Sequence, residues 1–134
     1  MYKRQVRTAG VATALVTSTE RRLVELALRT LGRHHFDVVV CGDEVTATKP
    51  DAAPYLSAAA ALGVPVEACV AIEDSPAGVA SAYTAGVAVL AVPAEVMFPV
   101  PDGVHLRATL ADVTVQELAE LAATRRGGQP VVAG

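Results

Sequence analysis

An α/β fold built on a parallel sheet with flanking helices is what this 134-residue sequence predicts. Short apolar runs rich in Val and Ala alternate with longer helix-patterned segments, the order of repeated βαβ units. The runs are nearly continuous rather than alternating, which marks strands buried on both faces. Ser-Pro and Gly sit at the joints where helices should start and stop.

The first strand is expected from Val11 to Val16, ending in Thr17-Ser18-Thr19. A helix follows from about Glu20 to Leu31, with Leu23, Leu26, Ala27, Thr30 and Leu31 on one apolar face and Gly32 as its stop. Asp37 to Cys41 reads as a buried strand, and a loop from Gly42 to Pro50 leads to an Ala-rich helix over Ala53 to Leu62, stopped by Gly63. Ala68 to Ile72 is another buried strand, running straight into Glu73-Asp74-Ser75-Pro76. Ser75 suits an N-cap and Pro76 the first helical position, so a helix starts there and ends near Gly86. Val87 to Val92 is a further strand, closed by Pro93. Thr114 to Glu117 has capping-box spacing, and Val115, Leu118, Leu121 and Ala122 give the last helix its apolar face. The chain from Arg125 to Gly134 is expected to be a loose tail.

Length and composition narrow the function. The chain has the size of one domain, 52% of its residues are apolar, and its formal charge is −3. There is no basic stripe for nucleic acid and no polybasic run for anionic lipid. No apolar run approaches the ~20 residues of a bilayer crossing, and the N-terminus shows no signal-peptide core. Cys41 and Cys69 lie far apart and form no C-x-x-C pattern, so they read as reduced, buried thiols of a cytoplasmic protein.

Ligands of parallel α/β sheets bind outside the carboxyl ends of the strands. Three expected strand ends carry polar residues there: Thr17-Ser18, Gly42-Asp43-Glu44 and Glu73-Asp74-Ser75. The Glu73-Asp74 pair fits two readings, helix-dipole stabilisation or a hard-cation site, because carboxylate oxygens are what Mg²⁺ prefers. Lys49, ahead of Pro50, is either a solvated surface charge or a fixed positive charge for a phosphoryl oxygen. Thr17 and Ser18 either cap the following helix or hold a phosphate with their hydroxyls and the exposed N–H groups. His34, His35 and His105 receive no catalytic role, since adjacent helical residues do not face each other and His105 has no evident partner.

In this order, Leu15-Val16-Thr17-Ser18-Thr19, Gly42-Asp43-Glu44-Val45, Lys49-Pro50, Ile72-Glu73-Asp74-Ser75-Pro76-Ala77-Gly78 and Ala85-Gly86 resemble the haloacid dehalogenase-like (HAD) superfamily. The nearest branch is that of the β-phosphoglucomutase-like phosphatases and mutases, and the resemblance spans about Val6 to Leu121. It implies a Rossmann-like core in which Thr17 binds the transferring phosphoryl group, with Ser18 adding a contact to phosphate. It implies that Lys49 neutralises charge between nucleophile and phosphate, that Asp74 ligates Mg²⁺, and that Glu73 orders the metal's water shell. Asp51-Ala52-Ala53 departs from relatives that carry a proline and an acid there.

The larger departure is the family's first motif, Asp-x-Asp-Gly-Thr, whose first Asp attacks phosphorus and whose second is the general acid/base. No Asp precedes Thr17 and no D-x-D occurs anywhere in the sequence. The α-helical cap that selects substrate is missing as well. Met1 to Gln5 resembles the translation of a transposon-end sequencing adapter read from a GTG start. Residues 6–124 are therefore expected to be the C-terminal part of a HAD-like core whose central nucleophile strand lies upstream in the natural protein. The rival expectation is a naturally shortened, non-catalytic relative. Such a chain, with two apolar strand edges uncovered, is expected to be marginally stable and inactive on its own.

The resemblance implies, for the intact parent, a phosphatase acting on a small phosphorylated metabolite such as a sugar phosphate. A sugar-phosphate mutase is the alternative within the family, and a non-catalytic Mg²⁺- and phosphate-binding domain the alternative outside it.

Overall fold

The computed structural model describes residues 10–126. The expected adapter residues 1–5, the segment up to residue 9 and residues 127–134 of the expected tail lie outside the described residues, whereas Arg125 and Arg126, expected in that tail, close the last helix. Five strands and four helices follow in the order β1 (Ala14–Val16), α1 (Arg21–Leu31), β2 (Val38–Val40), α2 (Ala53–Leu62), β3 (Val70–Glu73), α3 (Pro76–Ala85), β4 (Ala88–Ala91), β5 (His105–Leu106) and α4 (Val115–Arg126). All strand pairings are parallel, as the apolar runs predict.

The strands form two sheets rather than one. β1 pairs with β2, Ala14 opposite Val38, while β3, β4 and β5 form the second sheet in that order. Among the described residues no strand lies on the free side of β1 or of β3. Helix α2 links the two sheets, packing on β1, β2 and α3.

β4 is the centre of the core, and all four of its residues are buried. Its side chains alternate, as a pleated strand requires. Val89 and Ala91 face a cluster with Ala71, Val79, Ala82 and Val104, whereas Ala88 and Leu90 face Val113 and Leu121 on the other side. A strand covered on both faces has no place for polar residues, which is why its sequence lacks alternation. β5 was not expected. Two residues following a loop with several prolines carry no readable period, and their place is set only by pairing with Leu90 and Ala91.

The joints behave as their chemistry dictates. The Gly78 amide donates to Ser75 Oγ at 3.1 Å, capping α3, and Pro76 takes the first helical position. Ser75→Ala is expected to destabilise the fold by about 1 kcal/mol, the usual worth of such a cap, with no change in the slope of urea unfolding. An unchanged midpoint would show that the cap is dispensable here. Thr114 Oγ1 caps α4 by accepting from the Glu117 amide at 3.1 Å. The reciprocal half of the expected capping box does not form, because the Glu117 carboxylate pairs with Arg107 instead.

Helix α1 corrects the expected burial. The buried residues are Val24 and Leu28, which pack against Leu15, Phe36, Val39 and Cys41. Leu23, Leu26 and Leu31, expected on the inner face, are exposed at 45%, 54% and 45%. The inner stripe is Arg21, Val24, Glu25 and Leu28, and two of its four residues are charged. Arg21 and Glu25 tolerate that position because each is ion-paired, Arg21 to Glu44 and Glu25 to Arg33. Of the two free thiols, Cys41 is fully buried as expected, while Cys69 is only half-buried. No helix among the described residues is long and apolar enough to cross a membrane.

Candidate functional site

The carboxyl ends of β1, β2 and β3 carry the candidate residues, and each end is built differently. After β1, the Thr17 amide donates to the Val40 carbonyl at 3.0 Å, continuing the ladder one residue past the strand. Thr17 Oγ1 accepts from the Thr19 amide at 3.1 Å, which turns the chain toward α1. Neither Thr17 nor Ser18 caps that helix. Glu20 is the N-cap residue and makes no side-chain cap, and the Arg21 amide donates instead to Asp43 Oδ1 at 2.9 Å. One of the helix-start N–H groups expected to be open to phosphate is thus already occupied by the loop after β2.

Gly42-Asp43-Glu44, read from sequence only as a polar strand end, is a clamp on Arg21. The guanidinium makes a two-pronged pair with Glu44, Nε to Oε2 at 2.9 Å and Nη2 to Oε1 at 2.7 Å, and also donates to the Val39 carbonyl at 2.8 Å. Arg21 holds the Glu44 carboxyl below the usual carboxylate range, chiefly through that hydrogen bond. Glu44 Oε1 also accepts from the Cys41 amide. One arginine therefore ties β1–α1 to β2. The two loops touch so closely that a Cβ on Gly42 would lie 2.0 Å from the Ser18 carbonyl oxygen.

At the end of β3 the two acids separate. Strand alternation sends Glu73 inward and Asp74 outward. Glu73 Oε1 accepts from Lys49 Nζ at 2.5 Å and from the Tyr55 hydroxyl, and its side chain is 5% exposed against 13% for Lys49. Burial first, then the charge of Glu73, pushes the Tyr55 phenol above its usual range, so it stays protonated and donates. Lys49 precedes a cis bond to Pro50 in the loop after β2, and its ammonium lies 5.6 Å from the centre of the Tyr55 ring. Lys49 is thus a half-buried cation held by a fully buried carboxylate, not the free surface charge that was its plainer reading. The Glu73 carboxylate rests on the first turn of α3, where a Cβ on Gly78 would fall 1.9 Å from Glu73 Oε2. The glycine of the E-D-S-x-x-G segment is the space that this carboxylate fills.

Asp74 is exposed and makes no hydrogen bond or ion pair among the described residues. It lines an open cleft of about 440 Å³ with Ser75, Pro76, Glu95 and the apolar residues Val96, Met97 and Phe98 of the loop after β4. Its oxygens are the hard donors a divalent cation selects, and Mg²⁺ needs only one or two carboxylates from protein. The described residues hold no cluster of three or more His, Cys, Asp or Glu. Of the two acids, only Asp74 keeps its oxygens open to a cation, because Glu73 is occupied by Lys49 and Tyr55. Among the described residues no hydrogen bond or ion pair joins Thr17 or Ser18 to Lys49, Glu73 or Asp74. The His34 and His35 rings lie 4.1 Å apart at a tilt of 39°, in contact although adjacent residues were expected to face apart, and His105 lies in β5 with a buried Nε2 lacking a partner.

Sequence reasoning missed Arg21 and Tyr55. Arg21 sits in a row of ordinary helix formers, and nothing local distinguishes it. Tyr55 lies six residues after Lys49 on α2, and only the tertiary fold brings it to Glu73.

Comparison with known proteins bears on the family and the fold. A family model described as haloacid dehalogenase-like hydrolase matches residues 4–92. Hexitol phosphatase A of Escherichia coli is 31% identical over 124 residues, 92% of this chain and 54% of the relative. The structure of CbbY from Rhodobacter sphaeroides in complex with phosphate superposes with a TM-score of 0.77 at 31% identity, covering 87% of this chain and 55% of that one. A putative beta-phosphoglucomutase from Thermotoga maritima gives 0.68 at 34% identity, covering 72% and 46%. The chain spans about half the length of the relatives it matches.

Proposed function

This chain belongs to the haloacid dehalogenase-like hydrolase family, and on that footing we propose that it supplies the phosphate- and cation-binding half of a phosphatase for small phosphorylated metabolites. The observation that carries the reading is the division of labour at the end of β3. Glu73 turns inward to hold the Lys49 ammonium, while Asp74 turns outward into the cleft.

A cation fixed by a buried carboxylate stabilises charge on a phosphoryl oxygen without reorganising during reaction. Lys49 is proposed for that task. Thr17 and Ser18 are proposed to donate hydroxyl or backbone hydrogen bonds to the other phosphoryl oxygens. Asp74 is proposed to hold Mg²⁺, which when bound neutralises charge shared by phosphate and carboxylates. The attacking group is not among the residues of this sequence, which contains no D-x-D. Turnover is therefore proposed for the parent protein rather than for the 134 residues alone.

The test is phosphate release from hexitol and hexose monophosphates by the product of the complete reading frame, with and without Mg²⁺. Asp74→Asn is expected to lower Mg²⁺-dependent turnover on the order of a hundredfold or more. Near-normal turnover would remove Asp74 from the site. The likeness to the beta-phosphoglucomutase structure favours a second reading, a sugar-phosphate mutase. It is separated in the same assay by whether phosphate appears in water or on a second sugar hydroxyl. A frame that carries no Asp-x-Asp segment and releases no phosphate would leave a non-catalytic binding domain.

A further inference from the structure

The residue that decides where the Lys49 ammonium sits lies outside every motif in the sequence. Glu73 Oε1 accepts two hydrogen bonds, from Lys49 Nζ and from the Tyr55 hydroxyl, while Oε2 lies against Gly78. The terminal torsion of a glutamate is broad and roughly two-fold, so a single partner does not fix the plane of its carboxylate. A second donor on the same oxygen does. Tyr55 is anchored for this by its ring, which packs with the cluster around Val79 and Ala82. The same ring lies 5.6 Å from the Lys49 nitrogen, within cation–π range. One side chain therefore touches both members of the ion pair.

We propose that Tyr55 is a positioning residue that acts through Glu73 to fix the Lys49 ammonium at the carboxyl ends of the strands. With the hydroxyl present, the carboxylate offers Oε1 to the lysine in one orientation. Without it, the plane of the carboxylate tilts about its broad terminal torsion, and the ammonium follows it. That this placement serves a phosphoryl oxygen rests on the function proposed above.

The test reads Lys49 directly and needs neither Mg²⁺ nor phosphate, so its failure is distinct from failure of the phosphatase reading. Trace acetylation of the dilute product of the complete reading frame, followed by mass spectrometry, gives the labelling rate of Lys49 relative to an added lysine peptide. In the unsubstituted chain Lys49 should label more slowly than the peptide. Tyr55→Phe, which keeps the ring and removes the hydroxyl, should raise the Lys49 rate roughly tenfold, the low end of what loss of one hydrogen bond to a charged group implies. Glu73→Gln should raise it at least as much. In the Glu73→Gln background, Tyr55→Phe should add nothing, because both changes break the same linkage.

A structural role alone would lower thermal stability while leaving the Lys49 rate in place. The proposal is overturned if Lys49 labels as fast as the peptide before any substitution. It is equally overturned if Tyr55→Phe changes the rate less than about twofold, or accelerates it as much in the Glu73→Gln background as in the parent. A separate run with inorganic phosphate and Mg²⁺ asks whether phosphate slows Lys49 labelling, which bears on the phosphatase reading and not on Tyr55.

Discussion

Lys49→Ala is expected to destabilise the fold by about 3–5 kcal/mol, the range seen when one partner of a buried ion pair is removed. Glu73 has little access to water: its side chain is 5% exposed, and Gly78 backs its second oxygen. Losing the ammonium leaves a buried carboxylate with the Tyr55 hydroxyl as its one remaining donor. Domains of this size are stable by only ~5–15 kcal/mol, so the variant should melt far earlier or fail to fold. Replacing both partners, Lys49→Met together with Glu73→Gln, should recover most of the loss, because no unpaired charge then remains. Urea unfolding of the two variants decides the matter. A single mutant within about 1 kcal/mol of the parent would mean that the Glu73 charge is solvated and that the pair is not buried.

Gly42→Ala is expected to cost about 3 kcal/mol, the upper end of overpacking penalties. The added methyl would lie 2.0 Å from the Ser18 carbonyl oxygen and 2.6 Å from its carbon. Both are backbone atoms, so no rotamer change relieves the contact. The Gly42 amide donates to the Thr19 carbonyl at 2.8 Å, which ties the two loops at this point. Separating them would also disturb the Arg21–Asp43 and Arg21–Glu44 bonds next to it. Inorganic phosphate affinity should fall together with the melting temperature, since Thr17 and Ser18 ride on the displaced loop. A stable variant with displaced loops and unaltered phosphate affinity would remove Ser18 from the proposed phosphate contacts.

Much of this architecture was legible because local chemistry and tertiary placement agree. Helix α2 was read at about Ala53 to Leu62, and its end was clear because Gly63 can take the positive φ of 72° that stops it. Helix α3 was bracketed by Ser75-Pro76 and Gly86 for similar reasons. The buried strands announced themselves as unbroken apolar runs, although pairing trimmed the first from Val11–Val16 to Ala14–Val16. Where the two levels disagree, the sequence misled. The inner face of α1 contains Arg21 and Glu25, which pair with each other along the helix, while the Arg21–Glu44 pair that fixes this face inward is invisible until β2 and its loop are in place. An apolar stripe through Leu23 and Leu26 was the natural choice, and it faces solvent. The same holds at the candidate site. Lys49 and Glu73 were both singled out, yet their contact spans 24 residues of chain, and Tyr55 completes it from a third element.

The fit between Glu73 and Gly78 changes what the E-D-S-x-x-G string measures. The serine starts a helix, and the glycine leaves room for a carboxylate whose partner is a lysine on another loop. Only Asp74 looks outward. Two of the four fixed letters thus record whether a polypeptide can hold an anion indoors, a third starts a helix, and a single letter is left open to the cleft. A genome search scored on this string ranks sequences by foldability first. It will gather enzymes and silent descendants alike, and the letters that tell them apart must be sought elsewhere in the gene.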